Sequence, residues 1–253
     1  MKKLLILVII IVLVAAFVIN RNSNPNLIIS NLMRKGEIRP GVLVYRIYLF
    51  GLIPAAEAVF YPATQELYKG SKANHLKAYA GVLKVFSRFF QASINLDSYV
   101  NPSSGNPYFF SQKMSAPGKE AALKEVFYDQ QKGVMTLRGE DRAILPDTHD
   151  PLSLINKISR MDLSGLKDFE GSINTNQKNY CLRAGVSSKD SSIGGRVIKT
   201  YTLKGVVSRR DKDNPYHRSQ VTMVLAEGKQ NIPVLIKVFA SGAFIVVKLV
   251  DIK

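Results

Sequence analysis

From Gly41 onward, apolar and polar positions follow a period of two. In VLVYRIYLFG, residues 42–51, Leu43, Tyr45, Ile47 and Leu49 fall on one side while Val44, Arg46, Tyr48 and Phe50 fall on the other. Both sides are partly apolar, the mark of a strand in the middle of a sheet. Further strands are predicted at EAVFY (57–61), HLKAYA (75–80), KVFSRFFQASINLDSYV (84–100), PYFFSQKMS (107–115), LKEVFYD (123–129) and VMTLRGE (134–140). The last two are joined by QQKG as a hairpin connection. FEGSINTN, NYCLRAGV, RVIKTYTLKGVV, SQVTMVLAE, IPVLIKVFA and FIVVKLVDI continue the pattern, separated by Gly, Asn, Asp and Ser clusters. Short connections without alternating helices argue for an antiparallel sheet and against a βαβ fold. The expectation is a mainly β domain over residues 36–253. It would be a single antiparallel, strongly curved sheet or open barrel of about eleven strands.

One stretch breaks the pattern. In LPDTHDPLSLINKISRMDL, residues 145–163, Leu152, Ile155, Ile158 and Met161 recur every three positions with Leu154 alongside, making an apolar stripe. Asp150 followed by Pro151 is a helix start: the carboxylate caps free N–H groups, and proline at the first helical position loses no hydrogen bond. A helix over 150–163 is therefore predicted, with its stripe against the concave face of the sheet. Asp147, His149 and Asp150 crowd its start and read as turn and cap residues. The competing reading makes His149 a general base oriented by Asp147 or Asp150, with Ser153 or a water as nucleophile and Glu140 or Asp141 as a further acid. No Gly-x-Ser-x-Gly elbow accompanies them, so no catalytic residue is assigned.

The N-terminus adds a location. Lys2 and Lys3 precede sixteen apolar residues, Leu4 to Ile19, which as a helix would cover roughly 24 Å against the ~30 Å of a hydrocarbon core. The run reads as a signal anchor, or as a signal peptide cut after Ala16, over residues 1–20. The lysines ahead of it place the N-terminus in the cytoplasm and the body outside the membrane. Asn20 to Asn26 is polar, and residues 21–35 read as a tether in which LIISNLMRKGE has the option of a short helix.

Composition supports a folded core, with 46% hydrophobic residues. Thirty-five Lys and Arg against 19 acids give a formal charge of +16, which favours anionic partners. The basic segment SRRDKDNPYHRSQ supplies Arg209, Arg210, Lys212 and Arg218 as an anionic-surface candidate. Export disfavours nucleic acid as its partner. The single cysteine, Cys181, excludes an internal disulfide. His75, His149 and His217 have no metal-ligand spacing, and no phosphate-binding glycine loop exists. No metal or cofactor is expected.

Aromatic residues concentrate between 85 and 110. Neighbours on a strand point to opposite faces, so in each of the pairs Phe89–Phe90 and Phe109–Phe110 one ring faces away from the core. If that side is a cavity it suits an acyl chain. The ligand-binding candidates are Phe86, Phe89, Phe90, Phe109 and Phe110, with Leu152 and Ile155 from the helix.

GVLVYRIYLFGLIPAAEAVFYP, YAGVLKVFSRFFQASINLDSYVNPSSGNPYFF, HDPLSLINKIS and NIPVLIKVFASGAFIVVKLVD, in that order, resemble the exported bacterial family known as domain of unknown function 3108. The family's helix often continues with tyrosine and arginine where this chain has Asn156, Lys157 and a displaced Arg160. The resemblance implies an envelope β-rich protein with a curved sheet similar to that of periplasmic lipoprotein carriers, and no catalytic residues. The expected function is non-enzymatic binding of a lipid, lipoprotein or other amphiphilic envelope ligand. An envelope scaffold, or a hydrolase of envelope polymers, is the alternative.

Overall fold

The computed structural model describes residues 24–35, 41–86, 91–175, 178–193, 195–210 and 218–253. The apolar run 4–19 lies outside them. No helix among the described residues is long and apolar enough to cross a membrane.

In chain order the elements are α1 (Pro25–Lys35), β1 (Leu43–Leu49), β2 (Ile53–Phe60), β3 (Thr64–Tyr68), β4 (Ser71–Val82), β5 (Ser93–Val100), β6 (Pro107–Ala116), β7 (Lys119–Asp129), β8 (Val134–Leu137), β9 (Glu140–Ala143), β10 (Thr148–His149), α2 (Pro151–Arg160), β11 (Asp168–Thr175), β12 (Lys178–Ile193), β13 (Arg196–Arg209), β14 (Arg218–Ala226), β15 (Ile232–Ala240) and β16 (Ala243–Ile252). The strands form one sheet in the order β10 to β16, then β1, β2, β4 and on to β9, with β3 paired to the first half of β4. The last strand lies beside the first: Leu49 pairs with Ile245 and Leu43 with Ile252. Every pairing is antiparallel except β10 with β11.

The two edges of this sheet, β9 and β10, are joined by only four residues, Ile144 to Asp147. That link spans at most about 18 Å, so the sheet must curl until its ends nearly meet. No ladder joins β9 to β10. Side chains tie the seam instead: Asn179 Nδ2 donates to the Ala143 carbonyl (3.0 Å) and Gln130 Nε2 to the Thr148 carbonyl (2.7 Å). The result is an open barrel.

Three expectations change. Sixteen strands replace about eleven: each of the thirteen segments named from the pattern contains a strand, and β3, β9 and β10 add three that are too short and polar to show a period-two apolar signal. Of segment 84–100, only Ser93–Val100 is strand, and residues 87–90 lie outside the described part. The tether region folds from Pro25 into α1, whose Ile28, Ile29 and Leu32 are buried in one cluster with Val224, Leu235 and Val246. Register puts Val224 with Leu235 and Lys248, on the face opposite to the Met223–Ile236 pair that looks inward. α1 therefore covers an outer, apolar part of the barrel wall.

α2 occupies the inside. It ends at Arg160 rather than residue 163, with Met161 already extended at φ −70° and ψ 145°. It reaches from β10 and β11 on one wall to β4 and β5 on the other. Leu154 and Ile158 pack with Phe169, Leu182, Leu203 and Leu225, and Leu152 packs with Leu76, Ala78 and Val100. Burying side chains of this size contributes about 1.5–3 kcal/mol each. The stripe thus bolts the two walls together.

Candidate functional site

Both ends of α2 are fastened to the sheet. At its start, Asp150 has no solvent exposure, and its Oδ1 accepts from Leu152 N (2.8 Å) and Ser153 N (3.0 Å). Its Oδ2 accepts from the Ser98 hydroxyl of β5 at 2.7 Å. Burial pushes this carboxyl above its usual range, and the Ser98, Ser153 and Leu152 hydrogen bonds act against the shift. At the far end, Asn231 N donates to the Ser159 carbonyl (2.8 Å) and its side chain to that of Met161 (2.9 Å), which satisfies carbonyls a helix terminus leaves open.

Asp147, His149, Ser153 and Lys157 do come together. His149 Nδ1 lies 3.3 Å from Ser153 Oγ, and Nε2 lies 3.2 Å from Asp147 Oδ1 and 3.4 Å from Lys157 Nζ. Lys157 also pairs with Asp147. The order resembles a triad, but the Ser153 hydroxyl also reaches the Asp150 carbonyl (3.1 Å) and Nε2 is shared between the Asp147 carboxylate and the Lys157 ammonium. A ring protonated on Nε2 donates to Asp147, whereas one protonated on Nδ1 donates to Ser153 and accepts from Lys157. His149 and Ser153 are fully buried, and neither lines the cleft described below. The arrangement positions the helix entry. The further acids considered for hydrolysis both sit on the exposed strand β9, where Glu140 is engaged by Arg142 at 3.1 Å and Asp141 accepts from the Thr136 hydroxyl at 2.5 Å.

Burial, followed by the nearby Lys157 charge, lowers the proton affinity of His149 below its ordinary value of 6.5. The unfolded chain then binds a proton that the folded one refuses. Stability attributable to His149 is complete above about 6.5 and is lost as pH falls from there toward the lower folded value. His149→Gln is expected to flatten that limb in urea titrations run at pH steps between 7 and 5. An unchanged limb would show that the acid loss arises elsewhere.

Next to the helix a cleft of about 320 Å³ opens between α2 and the wall formed by β1, β2 and β4. Leu43, Tyr45, Phe60 and Leu76 line one side and Leu152 and Ile155 the other. Asn156, Ser159, Gln230 and Asn231 form its polar border. Tyr45 donates its hydroxyl to the Pro233 carbonyl at 2.8 Å, which fixes the ring as part of the wall. The volume lies at the lower end of the roughly 300–1,000 Å³ typical of ligand pockets.

No family model and no curated protein matches the chain. Among solved structures, a beta-barrel-like protein of domain of unknown function DUF1849 from Brucella abortus is similar over 85% of this chain and 98% of its own, with a TM-score of 0.56 and 11% identity. The chain is a β-barrel-like domain. At that identity the likeness concerns the fold, and neither finding supports the 3108 family in particular.

The remaining candidates are placed as follows. Leu152 and Ile155 border the cleft; Phe86, Phe109 and Phe110 do not. Phe110 is inside, packed with Val126 and Met135. Phe109 is outside, in a row His75–Tyr99–Phe109–Phe127 of direct cross-strand partners. His75 and Tyr99 stack at 4.0 Å, Tyr68 covers Tyr99 at 4.7 Å, and Lys69 lies 4.5 Å over Phe127. These rings spend their faces on one another, so the row stiffens the outer wall rather than presenting a platform. Phe86 lies at the β4–β5 connection, and Phe89 and Phe90 fall outside the described residues. Arg210 is committed to Glu170 (3.1 Å) and Ser172 (3.2 Å), while Lys212 falls outside the described residues. Arg209 and Arg218 end the two strands that flank it. Tyr45, Phe60 and Leu43 were not singled out from sequence: period two shows that they share a face but not that the face meets a helix.

Proposed function

We propose that this chain is a non-enzymatic binding domain of the bacterial cell envelope whose cleft beside α2 holds the apolar part of an amphiphile, a lipid or lipoprotein acyl chain. The observation that carries the reading is the cleft, apolar on both walls and bordered by amide and hydroxyl groups, with the exposed Lys77 at its edge. Such a lining receives hydrocarbon while the Lys77 charge stays in water, and the border can hydrogen-bond a neutral linkage. The apolar run from Leu4 to Ile19, the resemblance to the exported 3108 family and the charge of +16 support an envelope location.

Native mass spectrometry of the full chain, extracted gently and measured before and after lipid stripping, is expected to show a bound amphiphile that leaves on stripping. A fluorescent fatty acid should then refill the site. Ile155→Trp, which extends a half-buried side chain into the cleft, is expected to weaken that uptake by about tenfold, the equivalent of ~1.4 kcal/mol. A chain that carries no lipid and takes up no fatty acid would sink the proposal.

A further inference from the structure

At the end of the barrel away from the cleft, the connections of adjacent strands carry exposed hydrophobic side chains. The cleft lies beside Leu43 and the opposite end beside Leu49, about 20 Å apart along β1. The β1–β2 turn at Phe50–Gly51, the β15–β16 turn at Ser241–Gly242 and the β4–β5 connection follow one another around the rim. Leu49 pairs with both Ile53 and Ile245, and Leu83 N bonds to the Ala55 carbonyl at 3.0 Å. On this rim Leu49 is 41% exposed, Phe50 57%, Ile53 46%, Val85 68% and Phe239 47%. Five large apolar side chains on adjoining tips make a patch, not scattered surface residues.

The turn at Phe50 makes the choice of residue pointed. Four tight turns share one conformation, a residue at positive φ followed by glycine: Phe50–Gly51, Lys69–Gly70, Arg138–Gly139 and Ser241–Gly242. Three of them place a polar residue first, as expected at a solvated tip. Phe50, at φ 52°, is the exception. A bulky aromatic there is unfavourable for the backbone and leaves more than half of its surface exposed in the fold. Its use at this tip points to burial in something else.

Charge indicates what. Across β15, β16, β1 and β2, Arg46 is engaged by Glu57 at 3.0 Å, Lys248 is buried with its ammonium 4.3 Å over the Tyr48 ring, and Asp251 is at the other end beside Val44, so the cation behind the tips is the half-buried Lys237, on the same face of β15 as Phe239. An apolar tip backed by lysine on the same strands is the composition of an interfacial membrane contact. We infer that the rim formed by Phe50, Ile53, Val85 and Phe239 dips into the surface of a lipid bilayer bearing anionic headgroups. This inference does not depend on the cleft holding a ligand.

The chain has no tryptophan, so one introduced indole reports one position. Full-length Phe50→Trp, Phe239→Trp and, at the opposite end, Leu67→Trp, a site 73% exposed, are each mixed with vesicles of phosphatidylglycerol and phosphatidylcholine carrying brominated acyl chains. Any attachment through residues 4–19 is common to all three and cancels. Expected is a blue shift with several-fold stronger quenching at positions 50 and 239 than at 67, and weaker quenching in phosphatidylcholine alone. Equal quenching at all three positions, or none at 50 and 239, would overturn the inference. So would equal quenching in phosphatidylcholine alone. A blue shift without lipid, accompanied by a doubled mass in solution, would assign the rim to a second copy of the chain and overturn it too.

Discussion

Replacing Asp150 by alanine is expected to lower the unfolding free energy by about 3 kcal/mol, and Asp150→Asn by no more than roughly 1 kcal/mol. Alanine removes the acceptor for two helix N–H groups and leaves the buried Ser98 hydroxyl without its partner. Asparagine keeps a carbonyl oxygen facing Leu152 N and Ser153 N, and Ser98 Oγ can accept from its amide. In thermal melts the alanine loss corresponds to a fall of roughly 6–12 °C for a domain of this size. Equal losses in the two variants would mean that the charge, and not the capping geometry, is what α2 needs.

The same pair of variants separates charge from geometry by pH. Burial raises the folded-state pKa of Asp150 above the ordinary aspartate value of 3.8. The folded chain therefore holds the proton more tightly than the unfolded one. The resulting stability is fully present below about 3.8 and is lost as pH climbs through the higher folded value. This trend is opposite in sign to that of His149, the preceding residue at the same helix entry. Asp150→Asn abolishes the carboxyl part while leaving the imidazole part, so the difference between wild-type and variant profiles isolates it.

How much of this was legible beforehand varies by element. Asp150–Pro151 and the stripe at Leu152, Ile155 and Ile158 announced α2 because both the cap and the apolar spacing are local. Long strands such as β13 and β16 announced themselves by alternation. Thr64–Tyr68 and Glu140–Ala143 did not, since their side chains are mostly exposed and their pairing is decided by neighbours distant in sequence. α1 was half legible: LIISNLMRKGE had the option of a short helix, and Asn24 accepting from Asn26 N at 3.0 Å, Pro25 next, and Ile28, Ile29 and Leu32 behind them amount to a start signal and a short stripe. The cleft was half legible. Its helix side follows from the stripe, whereas Leu43, Tyr45 and Phe60 become its opposite wall only when β16 returns to pair with β1. The rim at Phe50 was visible as alternation, and its exposure was not.

Gly205→Ala is expected to cost roughly 3–4 kcal/mol, because this is the tightest place for an added β carbon among the described glycines. A β carbon on residue 205 would stand 2.0 Å from the Arg183 carbonyl oxygen, 2.5 Å from Ala184 Cα and 2.6 Å from Ala184 Cβ. None of these is the free end of a flexible side chain, so relief requires the backbones of β12 and β13 to separate. Gly205 is held on both sides, by Ala184 and by Val221, and a local shift there breaks ladder contacts with both neighbours. The wall affected is the one that Leu154 and Ile158 pack on through Leu182, Ala184 and Leu203. It is also the wall whose strand β12 reaches the seam through Asn179 and Ala143. Gly185→Ala, one residue beyond the partner, has nothing within 4 Å of its β carbon and should change stability by less than about 1 kcal/mol, with either sign. Urea titrations of the two variants side by side test this directly. If Gly205→Ala unfolds no more easily than Gly185→Ala, the close approach of β12 and β13 does not set the curvature that brings the sheet's ends together. If it unfolds far more easily, one missing β carbon lets the wall bend far enough for a helix to be enclosed and a cleft to be left beside it.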